Sequence, residues 1–264
     1  MLKKIVLTVI LFVVLTGCLQ QQSSTLTTNS ISLDTKEQPP SSFIPKTIKV
    51  VAIGDSLTEG IGDESNKGGY IGMLMEELEE EKGIKEVELN NFGVKGHKTS
   101  NLQKKLKEQK VISSLKEADF VIMTIGGNDL MKVVRANLFS LDYEPFRLEQ
   151  KNFEKNLKEI FTTIRKHNAK AEIVYIGLYN PFKHMLPELT EIDEIISEWN
   201  MSTQQMLQKD KHSLYVPVED IFISESEEML LSEDQFHPNS KGYSLIADRV
   251  LEKMKSESLF VDIR

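Results

Sequence analysis

The chain has 264 residues, of which 40% are hydrophobic, 27% charged and 7% aromatic. This composition is typical of a folded globular protein and excludes a disordered or fibrous one. The 32 Lys and Arg residues against 40 Asp and Glu give a net charge of −8, which disfavours nucleic acid as a partner. The single cysteine excludes a disulfide framework and a cysteine-rich zinc site.

The N-terminal segment has the pattern of a secretion signal. A basic start at residues 1–4 precedes an apolar run at 5–15, which is too short for a spanning helix of about 20 residues. The run leads into Leu15-Thr16-Gly17-Cys18, which resembles the lipobox of bacterial lipoproteins. We predict a lipoprotein signal peptide over 1–17 and acylation of Cys18; the alternative is an ordinary signal peptide followed by an incidental cysteine.

The segment after Cys18 is rich in Gln, Ser, Thr and Pro and is too polar to bury a core. We therefore predict that residues 18–46 are the acylated cysteine and a flexible tether, and that 47–264 are one folded domain. Two acyl chains hold a protein stably on a bilayer, so the expected location is the extracytoplasmic face of the cell membrane.

From residue 47 onward, short β-branched runs alternate with segments in which apolar residues recur at helical spacing. In chain order the predicted strands (β) and helices (α) are β 48–53, α 70–78, β 87–91, α 102–106, β 120–125, α 153–164, β 173–176, α 192–206, β 214–218 and α 243–254. Five strands with crossover helices predict an α/β fold, an open parallel sheet with helices on both faces. Ligands of such folds bind beyond the carboxyl ends of the strands.

Polar residues collect at those ends. They are Gly54-Asp55-Ser56-Leu57, Asn91-Phe92-Gly93-Val94-Lys95-Gly96, Gly126-Gly127-Asn128-Asp129 and, before the last helix, Asp234-Gln235-Phe236-His237-Pro238. Acyl transfer needs a hydroxyl nucleophile, a base, a carboxylate that orients the base, and donors for the oxyanion. These four segments contain that set.

Each candidate residue also has an ordinary structural role. Ser56 after a strand is a common helix N-cap, and Gly96 can simply provide a positive φ in a tight turn. Asn128 and Asp234 are normal turn and cap residues, and His237 can be a solvated loop histidine. Because five such accidents would have to fall at strand ends in one order, the joint pattern favours an enzyme.

In the same order, the four segments resemble the four blocks of the SGNH hydrolases, also called GDSL lipases and esterases, which include thioesterase I/lysophospholipase L1-like proteins. The second block reads Asn91-x4-Gly96-x2-Thr99, and the resemblance extends over about residues 49–255. It implies a flavodoxin-like three-layer α/β/α sandwich. It also implies a serine esterase that needs no metal and no other cofactor.

The resemblance also implies a role for each matched residue. Ser56 is expected to be the nucleophile, His237 the general base and acid, and Asp234 the orienting carboxylate. The Ser56 amide, Gly96 and Asn128 are the expected oxyanion donors. The three-residue spacing of Asp234 and His237 lets both side chains project the same way from a turn, leaving Nε2 of the histidine free for Ser56.

Two alternatives to this interpretation stay open. The Gly-Asp and Gly-Gly-Asn-Asp segments also faintly resemble a two-metal phosphoesterase, which needs further His and Asp ligands. The remaining histidines fit that poorly, because His167 and His212 lie beside lysines and His184 lies in a predicted loop. A non-enzymatic binding lipoprotein fits the anchor equally well, but it does not explain Ser56 together with His237.

The substrate is less defined than the chemistry. Residues 130–148 are apolar enough to form a mobile lid over an acyl chain or, equally, a helix packed on the domain. Residues 179–187 form a predicted loop that walls the same cleft. Lipid acyl esters and lysophospholipids are favoured, with carbohydrate O-acetyl esters as the alternative. The pattern makes no prediction of oligomeric state.

Overall fold

The computed structural model describes residues 45–137, 142–183, 190–223 and 230–260. The strands are β1 (Lys46–Gly54), β2 (Ile84–Gly93), β3 (Phe120–Thr124), β4 (Glu172–Ile176) and β5 (Ser213–Val216). The helices are α1 (Ser56–Glu59), α2 (Gly69–Glu79), α3 (Thr99–Lys105), α4 (Gln109–Glu117), α5 (Gly127–Ala136), α6 (Tyr143–His167), α7 (Thr190–Leu207) and α8 (Ser240–Ser256). The predicted signal peptide and all but the end of the predicted tether lie outside the described residues.

The five strands form one parallel sheet in the order β2-β1-β3-β4-β5. This is the order of flavodoxin-like folds, and the predicted α/β class is confirmed. Because neighbouring side chains on a strand point to opposite faces, each strand contributes to two cores. Val51 and Ile53 of β1 belong to the core under α3–α7, whereas Val50 and Ala52 belong to the core under α2 and α8.

β2 and α6 differ most from their predicted bounds, and α1 and α4 were not predicted. β2 has ten residues, whereas five were predicted. The prediction was too short because β2 is an edge strand whose mostly exposed residues lack an apolar pattern. Its length is set by pairing with β1, from Ile84 opposite Lys46 to Gly93 opposite Gly54. Helix α6 begins ten residues before the predicted start, at a cap in which Asp142 accepts a hydrogen bond from the Glu144 amide.

The apolar segment 130–148 is divided between two helices. Its first part lies in α5 and its last part in α6, while residues 138–141 lie outside the described residues. Leu130, Val133 and Phe146 are buried in the core. The described part of the segment is therefore helical and packed on the domain.

Candidate active site

Ser56 lies where the first central strand turns into a helix. β1 ends at Gly54, and Asp55 caps α1 by accepting a hydrogen bond from the Leu57 amide at 3.1 Å. Ser56 is the first residue of α1 and is only 3% exposed. Amides in the first turn of a helix have no intrahelical acceptor, so the Ser56 N–H is available to a ligand.

The structure brings Ser56, His237 and Asp234 into one hydrogen-bonded chain. His237 Nε2 lies 2.9 Å from Ser56 Oγ, although the two residues are 181 positions apart. His237 Nδ1 lies 2.5 Å from Asp234 Oδ2. The ring is buried, and Ser232 fixes its loop by donating its backbone N–H to the His237 carbonyl at 2.8 Å.

Asp234 is arranged to stay ionised. Partial burial acts to raise its pKa, but hydrogen bonds from His237, Phe236 and Ser232 outweigh it and hold the pKa of Asp234 well below the usual range. A carboxylate beside Nδ1 favours the tautomer with its proton on Nδ1. Nε2 of His237 is then an acceptor for the Ser56 hydroxyl.

Gly96 lies in a tight turn beside the hydrogen-bonded Ser56, His237 and Asp234. The His97 amide donates to the Val94 carbonyl at 3.1 Å, and Gly96 has φ +80°. These are features of a type II turn, whose third residue needs a positive φ and is therefore best as glycine. Within the described chain, the Gly96 N–H has no protein acceptor, so it too is available to a ligand.

Asn128 is the second residue of α5 and contacts the same turn. Its side-chain Nδ2 donates to the His97 carbonyl at 3.0 Å, which uses one of the two amide hydrogens. Asn128 and Ser56 line one cleft, whereas Gly96 lies on the adjacent turn outside the lining. The structure thus places all five sequence-predicted residues around the carboxyl ends of β1, β2 and β3.

The cleft beside Ser56 is apolar. The empty space in and at the mouth of this cleft is about 630 Å³, part of which is open solvent. Helix α5 contributes Leu130, Met131 and Val134, and α7 contributes Ile192 and Ile196. Further apolar lining comes from Leu57, Ile125, Ile176, Leu178, Tyr179, Pro181, Phe182 and Phe236. The predicted second wall at 179–187 is therefore present in its described part, and residues 184–189 lie outside the description.

The sequence alone did not identify a polar network beneath Ser56. Thr124 at the end of β3 donates its hydroxyl to Asp55 at 2.7 Å, and Thr58 Oγ1 lies 2.8 Å from Thr124 Oγ1. Burial raises the pKa of Asp55 to about 7, although the hydrogen bonds from Thr124 and from the Leu57 amide act against it. The available signal was Thr124, a polar residue ending an otherwise apolar strand.

A second unpredicted contact joins two of the sequence blocks. Asp129 accepts hydrogen bonds from the Thr99 amide at 2.9 Å and from the Thr99 hydroxyl at 2.6 Å. Burial raises the pKa of Asp129, and the bonds from Thr99 act in the opposite direction. This contact ties the start of α3 to the first turn of α5.

Of the other histidines, His97 lies in the turn bound by Asn128, and the remaining two in the described ranges do not belong to the site. His212 precedes β5 at the amino edge of the sheet, with Nδ1 2.7 Å from Glu172 Oε1, and His167 ends α6. His184 is outside the described residues. Among the described residues, no three His, Cys, Asp or Glu side chains are grouped so that they could hold a metal ion. No helix in the described ranges is long and apolar enough to cross a membrane.

The chain is similar to known proteins in sequence and in fold. The chain is 45% identical over 213 residues to the uncharacterized protein YpmR of Bacillus subtilis, covering 80% of this chain and 83% of YpmR. It is 28% identical to the spore germination lipase LipC of Bacillus licheniformis, covering 77% and 95% of the two chains. The crystal structure of the lipase Lip_vut3 from a goat rumen metagenome superimposes with a TM-score of 0.69 at 27% identity, covering 80% and 97%.

A sequence profile of the GDSL-like Lipase/Acylhydrolase family matches residues 52–245, from β1 to within α8. The match spans more than half of the chain and includes all four polar segments. This protein therefore belongs to the GDSL-like lipase/acylhydrolase family, a family of serine ester hydrolases.

Proposed function

We propose that this protein hydrolyses carboxylic esters through an acyl-enzyme on Ser56. The observation that carries the proposal is the chain from Ser56 Oγ through His237 to Asp234 at the mouth of an apolar cleft. A hydroxyl is a weak nucleophile at neutral pH, and a base 2.9 Å away activates it.

In the first half-reaction, Ser56 Oγ attacks the ester carbonyl carbon while His237 Nε2 takes the hydroxyl proton. The carbonyl electron pair moves onto its oxygen, and Asp234 stabilises the imidazolium through Nδ1–H. His237 then gives the proton to the leaving alkoxide as the carbon–oxygen ester bond breaks. The products of this step are a free alcohol and an acyl group on Ser56.

In the second half-reaction, water attacks the acyl carbon while His237 takes a water proton. The tetrahedral intermediate collapses, the proton returns to Ser56 Oγ, and a carboxylic acid leaves. In both halves the negative oxygen is stabilised by the Ser56 N–H, the Gly96 N–H and Nδ2 of Asn128. Preorganised donors of this kind usually lower the barrier by about 3 kcal/mol each.

We infer that the acyl group is a lipid chain. The cleft beside Ser56 is lined almost entirely by apolar side chains, which would stay in contact with water if only an acetyl group occupied it. Along α5 the lining runs from Asn128 to Val134, six residues or about 9 Å. The likeness to the lipases LipC and Lip_vut3 supports the same substrate class.

Fluorophosphonate labelling tests the nucleophile. Purified protein should be labelled at Ser56 and should keep its esterase activity in EDTA, whereas a metal-dependent enzyme would lose activity. Ser56→Ala should abolish labelling and turnover with little change in melting temperature. The matched control is Ser100→Ala, at an exposed serine in α3, which should behave like the wild type. Labelling that survives Ser56→Ala would contradict the proposal.

A panel of esters tests the substrate. We expect kcat/KM for p-nitrophenyl esters to rise from acetyl to medium-length acyl chains, and a lysophospholipid to be cleaved. A preference for p-nitrophenyl acetate and for an acetylated sugar would instead favour the carbohydrate esterase.

We also propose that the enzyme is anchored by acylated Cys18 on the extracytoplasmic face of the membrane. The support is the sequence Leu15-Thr16-Gly17-Cys18 after a short apolar run. Mass spectrometry of the mature N-terminal peptide should find diacylglycerol on the Cys18 sulfur, and Cys18→Ser should abolish it. An unmodified Cys18 would rule out the anchor without bearing on the esterase.

A further inference from the structure

Glu59 connects the helix that begins with Ser56 to the turn that contains Gly96. It is the last residue of the four-residue helix α1. Its carboxylate accepts a hydrogen bond from the backbone N–H of Lys95, the residue before Gly96. Glu59 is 36 positions from Lys95, so this contact depends on the packing of α1 against the end of β2.

That packing is close. A Cβ on Gly93 would lie 2.4 Å from the Glu59 nitrogen, so only glycine lets the end of β2 approach α1 this closely. Nδ2 of Asn91 donates to the Thr58 carbonyl at 2.7 Å and closes the C-terminal end of α1. The end of β2 is thus packed against and hydrogen-bonded to α1. The bond between Glu59 and Lys95 continues these contacts two residues beyond the end of the strand.

The orientation of the Gly96 N–H depends on one peptide unit. Type I and type II turns differ by a flip of the peptide between their two central residues, here Lys95 and Gly96. A flip would replace the Gly96 N–H by the Lys95 carbonyl oxygen, which repels an oxyanion. The turn is held on its far side by Asn128, which binds the His97 carbonyl. Glu59 holds the Lys95 amide, which belongs to the peptide before the one that flips, and so fixes the position of the turn relative to α1.

We propose that Glu59 is a positioning residue that keeps the Gly96 N–H directed at the oxyanion. This inference rests on the proposed oxyanion role of Gly96. Glu59 acts through a hydrogen bond to the backbone and does not touch the substrate. A side chain with an acceptor at the same reach should therefore replace it, whatever its charge.

The test compares Glu59→Ala, Glu59→Gln and Glu59→Asp. We expect Glu59→Ala to lower kcat for p-nitrophenyl hexanoate about tenfold with little change in KM, because the lost contact matters only when the oxyanion forms. Glu59→Gln keeps an acceptor at the same distance and should retain most of the activity. Glu59→Asp keeps the charge but is one methylene too short, so it should behave like the alanine variant.

An inhibitor gives a readout that a purely structural role would not change. An alkyl trifluoromethyl ketone forms a tetrahedral adduct with the serine, so its Ki should rise in Glu59→Ala by about the factor by which kcat falls. Glu86→Ala, at an exposed glutamate near the other end of β2, is the matched control and should leave kcat, Ki and melting temperature unchanged.

The outcomes separate this inference from the proposed function. Wild-type kcat and Ki in Glu59→Ala, with a loss of kcat in Asn128→Ala, would overturn the role of Glu59 alone. Wild-type kcat in both variants would overturn the oxyanion assignment itself. If Glu59→Ala fails to fold, the folded Glu59→Asp and Glu59→Gln proteins decide: equal activity in these two variants would also refute the proposal.

Discussion

Asn128 can have both a structural and a catalytic role. Its side-chain amide has two hydrogens, and the fold uses only one of them. Nδ2 donates to the His97 carbonyl at 3.0 Å, and the residue lines the cleft beside Ser56. If the second hydrogen binds the oxyanion, Asn128→Ala should lower kcat about a hundredfold with little change in KM. Steady-state kinetics and thermal melting of the variant measure both effects.

Two further variants sharpen that test. Asn128→Asp places a carboxylate against the oxyanion and the His97 carbonyl, so it should be at least as inactive as the alanine variant. Asn137→Ala removes a similar bond from the other end of α5, where Nδ2 donates to the Val133 carbonyl at 2.9 Å. It should lower stability but not kcat. Near-normal kcat in Asn128→Ala would exclude the oxyanion role.

Asp55 should make the stability of the domain depend on pH near neutrality. Burial raises its pKa from 3.8 to about 7, so the folded protein holds this proton more tightly than the unfolded chain does. The free energy of unfolding from this group therefore falls as pH rises from about 4 to about 7. Asp55→Asn has no such proton, so its melting temperature relative to the wild type should rise between pH 5 and 7.5.

Asp63→Asn is the control for that pH series. Partial burial acts to raise the pKa of Asp63, but hydrogen bonds from Ser65, Gly69 and Ser240 lower it to about 2. The stabilisation from an acid with a lowered pKa is complete above its unfolded value and is lost only as pH falls toward 2. The offset of Asp63→Asn should hence be constant between pH 5 and 7.5. An equally constant offset for Asp55→Asn would show that Asp55 is not protonated in the folded state.

Helix α5 connects the polar site to the apolar cleft. Its first turn carries Asn128, and within the next two turns Leu130, Met131 and Val134 line the cleft. Val134→Trp should fill the far part of the cleft. We expect it to reduce kcat/KM for octanoyl esters much more than for acetyl esters, with some loss of stability from overpacking. An ester series of increasing chain length measures this change in preference.

The neighbouring residue offers the control for this substitution. Arg135→Trp adds the same side chain on the exposed face of α5 and should leave the chain-length profile unchanged. An unchanged octanoyl preference in a folded Val134→Trp protein would mean that the acyl chain lies elsewhere.

The order of strands and helices was predictable from the sequence because the apolar side chains of both cores recur along the chain at strand or helix spacing. The five strands and five of the eight described helices (α2, α3, α6, α7 and α8) were predicted, and the sheet is confirmed as parallel. The start of α6 was not, since the first ten residues of that helix are mostly polar and only Phe146 among them is buried. The hydrogen bond between Glu59 and Lys95 could not be predicted either, because it depends on the tertiary packing of α1 against the end of β2, which leaves no local sequence pattern.

At the scale of the whole molecule, the sheet brings distant segments to one edge. β1 and β3 are adjacent, so the residues after both strands meet, and the connection from β5 to α8 returns His237 to Ser56. The order of the four polar segments was visible in the sequence, but the 2.9 Å between His237 and Ser56 was not. Lys46, where β1 begins, lies at the opposite end of that strand from Ser56.

This placement predicts that the domain is independent of the residues before it. Pro45 is exposed, and the first core residue of the described chain is Ile48. A truncated protein that begins at Pro45 should fold, with a melting temperature within about 2 °C of the mature protein and the same kcat on soluble esters. Circular dichroism and the ester assay measure both.

A second truncated protein, which begins at Val50, tests which residues of β1 the domain needs. A protein that begins at Val50 loses the fully buried Ile48 and the pairing of Lys46–Lys49 with β2. Deleting one buried aliphatic side chain costs about 2–5 kcal/mol, so this protein should melt many degrees lower. If the protein that begins at Pro45 were already unfolded, residues before β1 would contribute to the core and the predicted domain boundary would be wrong. If both truncated proteins melted like the mature one, the N-terminal half of β1 would be dispensable, contrary to its burial.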